Sequence, residues 1–297
     1  FLKGEQKDKI SIALQRGAKK LVKRNGKEYD RIADHIGHLP LVMISPSDRD
    51  LILEGSDVRR KFVDSVISQS DKVYLDDLMT YNRALLQRNA LLKHFASNGR
   101  FDQDHLAMFD EQLVERGTLI YEKRKSFISL LKPMLLDYYQ AISGGVEQVA
   151  IEYDSALHNQ DFKTLLQESL QKDRVLQYTS KGIHRDDLML TMLDYPLKKV
   201  GSQGQQKTFL IALKLAQFDF LKKQSGYTPL LLLDDIFDKL DEARVTALIH
   251  LVNDHRFGQI FISDTHPERT RDIAKRINEE SRIFTINQQG KVHETEE

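Results

Sequence analysis

The chain has 297 residues, which at roughly 100–200 residues per domain suggests two domains. Its 40% hydrophobic and 30% charged residues are a globular composition, and no apolar run approaches the roughly 18 residues of a membrane span. Lys+Arg and Asp+Glu are 44 each, giving a net charge of +0 that excludes a surface coated in basic charge but not a local basic groove, and the absence of Cys excludes disulfides, thiolate metal sites and Cys nucleophiles and fits a reducing, cytoplasmic location.

The chain opens on Phe1 with neither an initiator Met nor a signal-like apolar segment, and its true start is expected upstream. Ile10, Ile12 and Leu14 alternate with polar or small residues, and Leu21-Val22 leads into Asn25-Gly26, a strong signal for a tight hairpin because both residues tolerate positive φ. Pro40–Ile44 reads as a short apolar strand that stops at Ser45-Pro46-Ser47-Asp48. Ser56 or Asp57 is the expected cap of a helix through Arg59, Arg60, Phe62 and Val66. Apolar residues then recur at helical spacing over about 74–95 and 102–142, parted by Asn98-Gly99, which predicts a helical hairpin too irregular in register for a long coiled-coil rod. Pro133 is expected to kink or interrupt the second helix, and Gly144-Gly145 to end it.

Beyond Gly145 the pattern is that of strands and helices in alternation. Strands are predicted at Val146–Tyr153, Asp187–Leu193, Pro229–Leu233, Gln259–Ser263 and Arg282–Ile286, the last closing the sheet. Helices are predicted at Gln205–Lys223, Glu242–Asn253 and Glu268–Asn278. Short apolar strands alternating with amphipathic helices imply parallel β-α-β units. The helical middle therefore reads as an insertion, with residues 1–70 and 146–297 as two parts of one α/β domain around a subdomain at 71–145, and residues 155–175 expected to pack on that subdomain.

Leu230–Leu233 followed by Asp234-Asp235 is the most informative segment. A strand buried on both faces delivers two carboxylates to its carboxyl end, the edge where ligands bind in parallel sheets. In this Walker B pattern the first acid holds Mg²⁺ and the second orients or deprotonates a water, although a buried strand running into an acidic helix cap has the same look. Upstream, Ser202-Gln203-Gly204-Gln205-Gln206 opens a helix and offers a hydroxyl, free N–H groups and a favourable dipole to a phosphate, while also serving as an ordinary cap. Gly201 to Thr208 nearly matches the P-loop pattern G-x-x-x-x-G-K-[ST], but Gln206 stands at the second Gly position and Tyr195–Lys199 is a poor buried strand.

Ser202-Gln203-Gly204-Gln205-Gln206-Lys207-Thr208, Leu232-Leu233-Asp234-Asp235 and Lys239-Leu240-Asp241 resemble the signature, Walker B and D-loop of ABC-type ATPases, and more specifically those of the RecF family. Gly182-Ile183-His184-Arg185-Asp186-Asp187-Leu188 is similar to a family segment, with Ile183 where a Pro is usual; Ser45–Asp48 and Arg59–Asp64 resemble family segments as well. The resemblance implies an α/β ABC-type ATPase head, a mostly parallel sheet flanked by helices with an antiparallel part, carrying an inserted helical arm-like subdomain. It implies a slow, DNA-dependent ATPase of recombinational and gap repair that dimerises head to tail on DNA with ATP and Mg²⁺ and helps recruit RecR, RecO and RecA. By motif, Asp234 would bind Mg²⁺, Asp235 would be the catalytic carboxylate, Ser202, Gly204 and Gln205 would contact the γ-phosphate of the partner's nucleotide, and Asp241 would lie at the dimer seam. His266 stands where such ATPases place a switch residue, and also reads as a solvated loop residue before Pro267.

Two departures accompany the resemblance. The family's P-loop would lie upstream of this chain, which as given is therefore expected to bind ATP poorly. No Gln follows Ile44 where transporter-like members carry their lid-coupling Gln. Arg59-Arg60-Lys61 and Lys123-Arg124-Lys125 are cation clusters suited to neutralising DNA phosphates, or else solvated helix faces. His184 and Arg185 receive no role. Competing readings are another chromosome-maintenance ATPase, which the short insertion disfavours, and a non-hydrolysing scaffold, which the joint presence of Asp234, Asp235 and Ser202 disfavours.

Overall fold

The computed structural model describes residues 2–3, 6–17, 20–145, 147–253, 256–277, 281–287 and 289–295. The chain starts with two short antiparallel pieces: β1 (Leu2–Lys3) with β2 (Gln6–Lys7), and the sheet β3 (Ile10–Ala13), β4 (Leu21–Arg24), β5 (Lys27–Glu28). Asn25 and Gly26 take φ of 51° and 85° in the β4–β5 turn, the conformation that the Asn-Gly pair predicts. The buried Asp8 carboxylate accepts from Arg24 and Asn25 and pins this turn.

β6 (Leu41–Ile44) leads through α1 (Asp50–Leu53) into α2 (Ser56–Ser70), α3 (Lys72–Asn98) and α4 (Gln103–Ser143). The cap of α2 is Gly55, one residue before the expected Ser56 and two before Asp57, and it makes no side-chain cap bond. The 41-residue α4 runs through Pro133 without interruption and ends on Gly144 at φ 75°. Losing one backbone donor costs a helix about 3 kcal/mol. Here Phe127, Ile128, Leu131, Leu135, Tyr138 and Tyr139 are all buried around the proline, and that packing outweighs the loss.

Next come β7 (Val149–Asp154), α5 (Phe162–Leu176), β8 (Asp187–Met192), β9 (Tyr195–Pro196) and α6 (Leu197–Val200). β7, β8 and β9 form an antiparallel sheet, so the strands predicted at 146–153 and 187–193 are not part of a β-α-β series. The parallel series follows: α7 (Gln203–Ser225), β10 (Leu230–Asp234), α8 (Glu242–Val252), β11 (Ile260–Ser263) and α9 (Pro267–Arg276). β10 is central in the order β11-β10-β6 and runs parallel to both neighbours, with Leu233 opposite Ile44 and Asp234 opposite Ser263. The expected closing strand, β12 (Ile283–Ile286), pairs instead with β13 (Val292–Thr295) in a separate antiparallel ribbon. Val146 and Asn278, the ends given to two predicted elements, lie outside the described residues.

One continuous core joins β6 and β10 to α2, α4 and α7. α7 is buried on nearly every face from Thr208 to Phe218, polar Lys214 and Gln217 included, because β6, α2 and α4 all pack on it. Phe220 of α7 meets Phe127 of α4 edge to face at 4.7 Å between centroids. The helical subdomain is thus seated in the head through α4. α5 packs on α3 and α4, where Arg88, fully buried, donates to Asp110 at 2.5 Å and to Asp173 at 2.8 Å.

Candidate nucleotide site

The carboxyl edge of the parallel sheet carries the Walker B acids. Asp234, the last residue of β10, accepts at Oδ1 from the Ser263 hydroxyl at the end of β11 (2.6 Å). Asp235 leaves the strand at φ 48°, a left-handed conformation that costs a non-glycine residue about 1–2 kcal/mol, and donates its N–H to the Ser263 carbonyl at 3.0 Å. Lys207 holds this turn from α7: its Nζ donates to the carbonyls of Asp235 (2.9 Å) and Asp238 (2.8 Å), and burial pushes its ammonium below the ordinary lysine value. Both acids open into a cleft lined by Ile44, Pro46 and Arg49 from the β6 side and by Gln203 and Lys207 from α7.

The signature segment caps α7. Ser202 Oγ accepts from the Gln205 N–H (3.2 Å) and Gln205 Oε1 accepts from the Ser202 N–H (2.8 Å), a reciprocal capping box. A Cβ on Gly204 would meet only ordinary contacts, the nearest being the Lys239 carbonyl at 3.5 Å. This chain's own packing therefore does not demand a glycine there; its effect is to keep the mouth of α7 open to close approach. The near-match to a P-loop is disposed of structurally: α6 rather than a strand precedes it, and the Gln206 amide fills the turn by donating to the Gly201 carbonyl at 2.8 Å.

Asp241 caps α8 by accepting from the Arg244 N–H at 2.9 Å. Arg244 ties the D-loop to the signature helix, donating to Thr208 Oγ1 (2.8 Å) and to Glu147 (2.9 Å). Burial raises the Glu147 carboxyl, but bonds from Tyr139, Gln205 and Arg244 outweigh it and leave the group below its ordinary value.

His266 caps α9; its exposed ring hydrogen-bonds the neighbouring Thr265 hydroxyl at 3.1 Å. The side chain that reaches Asp235 is Arg269, one turn further on. Its guanidinium donates twice to Asp264 (2.7 and 2.8 Å) and from the same Nη2 to Asp235 Oδ1 at 3.4 Å. Burial raises the fully buried Asp264, but Arg269 and the His266 N–H offset it and hold the carboxyl low.

The expected DNA cations divide sharply. Arg124 is buried: Nε and Nη2 donate to Asp64 at 3.0 Å each, and Nη1 donates to the Ile183 carbonyl at 2.8 Å. Arg59 makes a two-pronged bond to Asp187 and also donates to the Leu51 and Glu54 carbonyls; Arg60 donates to the Asp186 carbonyl. These three are structural donors rather than open phosphate contacts. Lys61, Lys123 and Lys125 are exposed, Lys123 pairing with Asp71 and Lys125 lying over the Tyr121 ring. His184 is half-buried and structural: it bridges Tyr81 and the Thr179 carbonyl, and burial pushes its imidazole down to about 4. Arg185 stacks over Tyr178.

No family model matches the chain. It is 56% identical over 284 residues to the DNA replication and repair protein RecF of Flavobacterium johnsoniae, an alignment covering 96% of this chain and 79% of that protein. The chain belongs to the RecF family. Another RecF, from Phocaeicola vulgatus, is 49% identical over 291 residues, covering 98% of this chain and 77% of that protein. Two solved structures of the recombination mediator protein RecF in the RecFOR pathway, RecF-ATPrS and RecF-ATP, match with TM-scores of 0.80 and 0.82 at 30% and 31% identity, each covering 97% of this chain and 76% of that chain. The α/β ATPase-head architecture expected from the motifs, with its helical insertion, is therefore the RecF fold.

Sequence reading of this RecF-family chain missed Glu147, Lys207, Arg244, Asp264 and Arg269 as parts of the site. Lys207 lay inside the quoted signature and Asp264 two residues from His266, but no spacing rule pairs them with partners on other elements. Among the described residues no membrane-length apolar helix occurs.

Proposed function

We propose that the full-length gene product is a DNA-repair ATPase that binds ATP with Mg²⁺ at Asp234, uses Asp235 in the chemistry, and closes with a second copy of itself into a head-to-tail dimer. In that state it holds DNA and helps recruit RecR and RecO and load RecA. The observation that carries the reading is the placement of two consecutive carboxylates at the carboxyl end of the central parallel strand, where Leu231 and Leu233 are buried and Leu230 and Leu232 are partly exposed rather than enclosed on both faces, beside the capped signature helix, in a RecF-family chain. Curated relatives named for DNA replication and repair, and neighbours solved as RecF-ATP, support the nucleotide and the process.

The donor set suits Mg²⁺. Hard carboxylate oxygens are the right ligands, and Mg²⁺ commonly takes one or two of them and completes its shell with water and substrate phosphates. A cluster of three or more candidate ligands, absent among the described residues, is therefore not needed. Bound there, Mg²⁺ would neutralise charge developing on the transferred phosphoryl group. Asp234, aligned by Ser263, would hold the ion. Asp235, turned out of the strand, would orient the water and take its proton. Ser202, Gly204 and Gln205 of a second copy would donate to the γ-phosphate, with Asp241 at the seam between copies and His266 beside the phosphate.

Asp235→Asn in the full-length gene product tests this. Hydrolysis should fall at least about 100-fold, while ATP binding survives and an ATP-bound dimer accumulates on sizing columns. Undiminished turnover in that variant would remove Asp235 from the chemistry.

A further inference from the structure

Glu147 lies just after α4, and one carboxylate there gathers side chains from three helices. Its Oε1 accepts from Gln205 Nε2 and from Arg244 Nη2, each at 2.9 Å, and its Oε2 accepts the Tyr139 hydroxyl. The group is nearly enclosed, with 17% of its side chain exposed. We propose that Glu147 is a positioning residue for the contact between two copies of this chain: it fixes the Gln205 amide so that the Ser202–Gln205 turn faces the phosphate of a nucleotide held by the second copy. This rests on the dimer reading above.

The donor count supports it. Gln205 Oε1 is taken by the Ser202 N–H, so the amide cannot flip without losing that bond, and one of its two Nε2 hydrogens is committed to Glu147. The second hydrogen remains. Ser202 Oγ accepts from Gln205 and so keeps its own O–H to give. These remaining donors are aimed because Glu147 holds the amide and Tyr139 holds Glu147. Arg244 balances the carboxylate, so a negative side chain stands beside a phosphate-facing turn without repelling the phosphate. Removing Glu147 leaves the Gln205 amide held by the Ser202 N–H alone and Arg244 with Asp241 as its remaining carboxylate partner, and neither change touches Asp234 or Asp235.

The test uses the full-length protein with a slowly hydrolysed ATP analogue and Mg²⁺, reading dimerisation by sedimentation and monomer nucleotide affinity by fluorescence. Glu147→Ala should raise the protein concentration for half-dimerisation about tenfold or more, equivalent to about 1.4 kcal/mol, and leave monomer affinity within about twofold. Glu147→Gln, which keeps an acceptor for Gln205, should recover part of the loss, and Tyr139→Phe should show a smaller defect of the same kind. Wild-type dimerisation in a folded Glu147→Ala, or an equal loss of monomer affinity, overturns the proposal; if that variant does not fold, Glu147→Gln and Tyr139→Phe are judged by the same two readings. A wild type that stays monomeric with the analogue fails the dimer reading itself, a result visible without any variant.

Discussion

At the residue scale, Asp235 and Arg269 show how neighbouring chemistry is set by geometry that no motif announces. Asp235 sits in a left-handed conformation anchored on both sides, by the Ser263 carbonyl and by Lys207. Arg269 then reaches its carboxylate from a guanidinium locked by the buried Asp264. A bidentate partner makes Arg269 a rigid arm rather than a floppy surface charge. Arg269→Ala is expected to lower kcat about tenfold with nucleotide affinity unchanged, and Arg269→Lys to restore little because a single ammonium cannot keep both prongs on Asp264 and still reach Asp235. Equal kcat in wild type and Arg269→Ala would reduce the bridge to a packing feature. The acids were legible in the sequence because they are consecutive and follow a run of leucines; the arginine was not, because its reach to Asp235 crosses from α9 to the turn after β10.

At the element scale, two glycines decide how α5 meets the helical hairpin. A Cβ on Gly117 of α4 would lie 2.3 Å from the Phe162 ring, and one on Gly182 would lie 2.6 Å from it. Phe162 is buried between them, 6.4 Å from Tyr81 between ring centroids. Alanine normally gains about 1 kcal/mol over glycine inside a helix. Overpacking a closed site costs about 1–3 kcal/mol, and the ring has nowhere to move. Gly117→Ala should therefore lower the melting temperature despite its better helix propensity; a rise would show that α5 can shift to make room. Helical periodicity located α4 well, yet it gave no notice that Pro133 would be carried inside a continuous helix, since that outcome depends on the apolar groups packed around the proline.

At the scale of the whole molecule, the balanced charge conceals a division between internal and external cations. Arg59 and Arg124 bind the helices α2 and α4 to the segment at 183–187, whereas Lys61 and Lys125 face solvent. Breaking one partner of a buried pair costs about 3–5 kcal/mol, so Arg124→Ala should markedly weaken the fold in denaturant titrations. The double variant Lys61→Ala, Lys125→Ala should stay within about 0.5 kcal/mol of wild type, bind duplex DNA more weakly, and lower the salt slope by about 2, close to 0.9 for each phosphate that is no longer neutralised. An unchanged slope would place the DNA surface elsewhere.

What the sequence by itself determined is what depends on neighbours in the chain. That includes the Asn25-Gly26 turn, the leucine strand with its two acids, the Ser202 cap, the amphipathic helices and the motifs that point to the RecF family. Tertiary structure alone decided which strands pair, sending β7, β8 and β12 into antiparallel pieces, because pairing is a contest among distant edges that local pattern cannot rank. It also decided which arginines are buried and which side chains converge on Asp235 and Gln205. A charge run reads the same in sequence whether it faces water or core, and only packing chooses its partner.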